Sequence, residues 1–141
     1  MARNYKIFVS HSWAYNQDLR NLQNLLENRG YFKVEFQEST PNNPIDSENS
    51  AYIKRRLKEK IDASDIVLGI AGIYASYSDW IAWELATAQI LSVPVIGVIP
   101  RGQERISSVV NKYSLINVRW NTESIVDAIR AYAKGSKAWY Q

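Results

Sequence analysis

The chain contains no cysteine and a single histidine in 141 residues. Without cysteine there is no disulfide framework, no thiolate metal site and no cysteine nucleophile. One histidine cannot build a His-rich metal centre, and His11 has no acidic cluster near it in sequence, so no metal is expected. Long apolar runs are missing as well. Ile66 to Ile73 and Val93 to Ile99 fall far short of the about 20 residues that a membrane-spanning helix needs. The opening residues, Met1 to Lys6, lack the charged start, apolar stretch and small cleavage residues of a secretion signal. These absences lead to the expectation of a cytoplasmic protein with no membrane partner.

Phosphate-binding signatures are also absent. No Gly-x-Gly-x-x-Gly follows a strand-like run, and there is no lysine-bearing P-loop. Charge of one sign is scarce: 17 Lys and Arg against 14 Asp and Glu leave a net charge of +3, too little to indicate a nucleic-acid partner. The dense basic run Lys54-Arg55-Arg56-Leu57-Lys58-Glu59-Lys60 spreads around a helix and reads as a solvated surface.

What is present is an ordinary globular composition, 46% hydrophobic and 22% charged, on a chain about one domain long. The reading is a single domain over 1–141, with a core from about residue 5 to 134 and a tail from 135 to 141. Strand-like and helix-like segments alternate. Lys6–Ser10 is a short strand. Leu19, Leu22, Leu25 and Leu26 recur at helical spacing between Gln17 and Arg29, and Gly30 is placed for a left-handed cap. Phe32, Val34 and Phe36 alternate with charged residues, as a half-exposed edge strand does. Glu38–Asn49 is polar, carries two prolines and reads as a loop.

A second helix starts near Ser50. Asp65–Ala71 and Val93–Ile99 are continuous apolar strands with a third helix, Trp80–Leu91, between them. Leu115–Val118 is a shorter strand, and Thr122 is an expected cap for a last helix bearing Ile125, Ile129 and Tyr132. Strands buried on both faces need helices on both sides of the sheet. The expected fold is therefore an α/β three-layer, doubly wound sheet of five parallel strands in the order 2-1-3-4-5. In such folds ligands bind beyond the carboxyl ends of the strands, at the switch point between the first and third. That rule selects Ser10, His11, Ser12 and Trp13, together with Gly72-Ile73-Tyr74. A phosphoacceptor receiver shares the strand order, but the first and third strands here end in Ser10-His11 and Ala71-Gly72 instead of acidic residues.

Between Trp80 and Pro100 the only charged side chain is Glu84. A carboxylate in apolar sequence is costly to bury without a partner, so it is either turned to solvent or retained for chemistry. The strand Ile7-Phe8-Val9-Ser10-His11-Ser12, the segment Tyr74-Ala75-Ser76-Tyr77-Ser78-Asp79-Trp80-Ile81-Ala82-Trp83-Glu84-Leu85, and Pro94-Val95-Ile96 together resemble the Toll/interleukin receptor (TIR) family. The resemblance covers Tyr5 to about Tyr132. It is nearest to the stand-alone TIR-like proteins of bacterial anti-phage defence, of the Thoeris type. A short segment between the third and fourth strands sets the chain apart from receptor TIR domains.

The resemblance implies cleavage of NAD⁺, as substrate and not as cofactor, with Glu84 as the catalytic residue. It further implies a (cyclic) ADP-ribose-derived signal that acts on a separate effector, and self-association through the Glu38–Asn49 loop. Apolar neighbours are expected to raise the pKa of Glu84. Candidate substrate-binding residues are Ser10, His11, Ser12, Trp13, Tyr74, Tyr77 and Trp80. Each also has a plain structural role open to it: Trp80 as core, His11 as a strand-end residue, and the serines as a helix-entry turn. Two other readings stand beside the first, a nucleoside deoxyribosyltransferase and a non-catalytic interaction module.

Overall fold

The computed structural model describes residues 3–11, 17–37, 50–72, 79–103 and 106–136. Five strands, β1 (Asn4–Ser10), β2 (Lys33–Gln37), β3 (Ile66–Ile70), β4 (Val95–Ile99) and β5 (Ile116–Arg119), alternate with five helices. These are α1 (Gln17–Glu27), α2 (Ser50–Asp62), α3 (Asp79–Ile90), α4 (Ser108–Tyr113) and α5 (Thr122–Tyr132). The strands pair in parallel in the order β2-β1-β3-β4-β5. The order expected from the sequence is the one observed.

Alternation along each strand divides the core in two. Ile7, Val9, Ile66, Leu68, Ile96 and Val98 point to one side, where Leu22 and Leu26 of α1 and Ile125 and Ile129 of α5 cover them. Phe8, Val67, Ala71 and Val95 point to the other, under Leu57 and Ile61 of α2, Ile81 and Leu85 of α3, and Val110 of α4. Every residue of β3 is buried, which is why its sequence shows no polar alternation.

The structure corrects several local expectations. The left-handed residue after α1 is Tyr31, at φ 60°, and not Gly30. The chain turns one residue later than the glycine, at a tyrosine that is 97% exposed. The cap of α5 is Asn121, whose side chain accepts a hydrogen bond from the Ser124 amide, so Thr122 is already helical. Regular strand β4 starts at Val95, after Pro94, which lacks an amide hydrogen but accepts at its carbonyl from Val67 N. Helix α4, capped by Ser107, is an addition to the elements expected from sequence; at six residues it is too short to show a clear periodicity.

Candidate active site

Ser10 closes β1 on the α2/α3/α4 side of the sheet, two residues beyond Phe8. Its neighbours in register are Gly69 on β3, then Gly97 on β4 and Asn117 on β5. Two glycines in this row let the helices approach the sheet. A Cβ on Gly69 would lie 3.3 Å from Val110 Cγ1 and 3.6 Å from Leu85 Cδ2, and one on Gly97 would overlap the side-chain oxygen of Asn117.

Helix α3 runs between α2 and α4 and contacts β1, β3 and β4. Ile81, Glu84, Leu85 and Ala88 fall at helical i, i+3, i+4 and i+7 spacing and form its inward stripe. Glu84 is thus carried into the layer between helix and sheet, where only 1% of its surface is exposed. The Ser10 hydroxyl, itself fully buried, donates to Glu84 Oε1 at 2.6 Å. Glu84 Oε2 is buried and has no hydrogen-bond partner among the described residues.

Burial raises the Glu84 carboxyl to a pKa of about 8, with the Ser10 hydrogen bond acting in the opposite direction. Desolvation penalises the charged form, and among the described residues the one opposing influence, the Ser10 hydroxyl dipole, recovers only part of the lost hydration. At neutral pH the carboxyl is mostly protonated. A cation entering beside it would pull the pKa down and turn the group into a counter-ion. An acid held in this condition, at the carboxyl end of a central strand, has the properties of a reacting group.

The expected exposed-glutamate alternative for Glu84 does not hold. Of the other candidates, His11 is buried beside Ser10, with Nδ1 3.3 Å from the Val9 carbonyl oxygen. Trp80 lies partly buried one turn before Glu84 and meets Trp83 edge to face, with ring centroids 6.1 Å apart. Lys54 of α2 stands over both rings, 5.8 Å from the Trp80 centroid and 5.7 Å from that of Trp83. The rest of that basic run is largely exposed, as expected. Gly72 is buried beyond β3, where a Cβ would sit 3.6 Å from Pro100 Cγ and 3.7 Å from the Gln103 amide.

Ser12, Trp13, Ile73, Tyr74, Tyr77 and the Glu38–Asn49 loop lie outside the described residues. Among the described residues no three His, Cys, Asp or Glu side chains gather as a metal site requires, and no helix is long and apolar enough to cross a membrane.

Comparison with known proteins gives the family and the fold. Residues 8–105 match the family described as the Thoeris protein ThsB, TIR-like domain. The chain belongs to this TIR-like family. The matched stretch contains both Ser10 and Glu84, and Arg119 and Trp120 on the far edge of the sheet lie beyond it. A search of curated proteins finds no sequence match.

Among solved structures, the Thoeris TIR-like chain is similar to a 2-deoxyribosyltransferase from Bacillus psychrosaccharolyticus. The two are 22% identical, with a TM-score of 0.59 over 86% of this chain and 90% of that one. It is also similar to the CMP N-glycosidase BcmB of Clostridium botulinum, at 12% identity and a TM-score of 0.52 over 88% and 97% of the two chains. At these identities the likeness is one of fold.

The pairing of Ser10 with Glu84 was not anticipated. In sequence the two are separate candidates, and Glu84 is open to either a solvent-facing or a chemical role.

Proposed function

We propose that this TIR-like chain cleaves the nicotinamide–ribose bond of NAD⁺, and that the product is a linear or cyclic ADP-ribose signal in anti-phage defence. The observation that carries the reading is the buried Glu84 carboxyl, held by Ser10 at the carboxyl end of β1, its second oxygen without a hydrogen-bond partner among the described residues. Membership of the Thoeris TIR-like family supports the biological setting.

The chemistry suits a single acid. Nicotinamide departs with the electron pair of the C1′–N bond and becomes neutral, so no general acid is needed. Positive charge develops on the ribose, and a carboxylate in a water-poor site stabilises it strongly. The pyridinium ring itself supplies the cation that would ionise Glu84 on binding. Capture of C1′ by water, with loss of a proton, gives ADP-ribose; capture by adenine or a ribose hydroxyl gives a cyclic isomer. Trp80 lies one helical turn away and is a candidate wall for the nicotinamide ring. Assembly through the Glu38–Asn49 loop and action on a separate effector belong to the same proposal.

A second reading has support from the fold. Both structural relatives are named for nucleoside or nucleotide chemistry, one as a 2-deoxyribosyltransferase and the other as a CMP N-glycosidase. In that reading Glu84 attacks the anomeric carbon of a deoxynucleoside. Incubating the concentrated protein with NAD⁺ and, separately, with a deoxynucleoside plus a free base decides between them. Released nicotinamide supports the first reading; base exchange without nicotinamide release overturns it.

A further inference from the structure

Beyond the ends of β4 and β5 a cleft of about 190 Å³ opens between the turn Pro100–Gln103 and the pair Arg119–Trp120. The turn is closed by Gln103 N donating to the Pro100 carbonyl at 3.3 Å, with Gly102 at φ 77°. Glycine in the third position with positive φ marks a type II turn, which sets Arg101 at its corner. From the other side Arg119 ends β5, in register with Ile99 of β4. Both arginines are exposed, and neither forms an ion pair among the described residues, where the ion pairs are Arg3–Asp65 and Arg29–Glu123. Trp120 is partly buried against the core and so is held at the rim.

An arginine at a turn corner and another at a strand end, both lining one cleft beside an anchored indole, are a different arrangement from charges scattered over a helix. Guanidinium forks match phosphate oxygens, and an indole face accepts a base. The location is the carboxyl edge of the sheet, to the β4–β5 side of the switch point between β1 and β3. Gln103 on the cleft wall also lies beside Gly72, just beyond β3. At about 190 Å³ it is smaller than the roughly 300–1,000 Å³ that takes a whole drug-sized ligand, so it suits one part of a larger molecule.

We propose that this cleft binds the nucleoside-diphosphate half of the substrate, with Arg101 and Arg119 on the phosphates and Trp120 against the base. The proposal rests on the NAD⁺ reading for the identity of the ligand. Arg101 lies within the stretch that matches the family, and Arg119 and Trp120 lie beyond it.

The test is direct binding of ADP, AMP and adenosine to the full chain by calorimetry, together with ADP quenching of tryptophan fluorescence. ADP is expected to bind more tightly than AMP, and AMP more tightly than adenosine. The double variant Arg101→Gln/Arg119→Gln should lose about tenfold or more in ADP affinity while its adenosine affinity stays unchanged, and Trp120→Leu should remove the quench. Unchanged far-UV circular dichroism of the double variant checks its fold, both substitutions being at exposed positions. Equal ADP affinity in wild type and double variant, or no ADP binding at millimolar concentration, overturns the proposal.

The two claims also fail separately. ADP binding that the double variant abolishes supports the cleft even if wild type releases no nicotinamide. Nicotinamide release with the same KM in wild type and double variant upholds cleavage and overturns the cleft.

Discussion

Ser10 and Glu84 stand 74 positions apart in sequence and meet at 2.6 Å, hydroxyl to carboxyl, with water excluded from both. The pair joins the end of the central strand to the middle of the most apolar helix. Its energetics are those of an acid kept neutral by burial and ready to ionise when a cation arrives.

Stability should therefore fall as pH rises. The Glu84 carboxyl titrates near 4.5 when unfolded and at about 8 when folded, so the folded chain binds more protons between those values. Below about pH 4.5 burial of the neutral acid carries no ionisation penalty. The penalty grows through neutral pH and reaches its full size above about pH 8, on the order of 5 kcal/mol. Glu84→Gln should remove this slope and be the more stable protein at pH 8.5. Urea unfolding from pH 5 to 9 measures it, and parallel curves for the two proteins would refute it.

Ser10→Ala removes the one described interaction that favours the Glu84 carboxylate. The carboxyl should then titrate still higher than about 8. Carbon-13 NMR of the labelled glutamate side chain reads this directly. An unchanged or lowered titration midpoint would mean that the hydroxyl is not what tempers the group.

Close approach of helix to sheet depends on the glycine row beside Ser10. Gly97→Ala forces Asn117 off its place, where its side-chain amide donates to Asn111 Oδ1 at 2.9 Å and its oxygen accepts from the Ser114 hydroxyl at 3.2 Å. The expected loss is about 1–3 kcal/mol. Gly69→Ala meets only side-chain carbons at 3.3 Å and beyond and should cost less. Chemical denaturation of the two variants checks the order; a reversal would mean that β4 and β5 give way more readily than α3 and α4.

Much of this fold is legible in the sequence because burial writes it there. The unbroken apolar run of β3 and the half-polar alternation of β2 separate central from edge strand, and the connections between strands leave room for crossovers. Local details were harder to read where two neighbouring residues offer the same chemistry. Asn121 and Thr122 are both good caps, and only the course of the backbone selects Asn121. Gly30 and Tyr31 compete for one left-handed position, which the tyrosine occupies.

At the site, Glu84 stands out in sequence as the single charge between Trp80 and Pro100, but the pattern alone leaves it facing either solvent or the interior. Its partner Ser10 could not be assigned from local pattern, since the contact depends on the register of β1 against β3 and on how α3 crosses them. The same holds for Arg101 and Arg119, which converge only because β4 and β5 end side by side.

The central claim is that ionised Glu84 drives cleavage of the nicotinamide bond. The most direct measurement is nicotinamide release from NAD⁺ by bead-concentrated wild type and Glu84→Gln between pH 6 and 9. The account predicts that wild-type kcat/KM rises toward about pH 8, and that Glu84→Gln releases no nicotinamide at any pH while remaining folded. Equal release by the two proteins would contradict it.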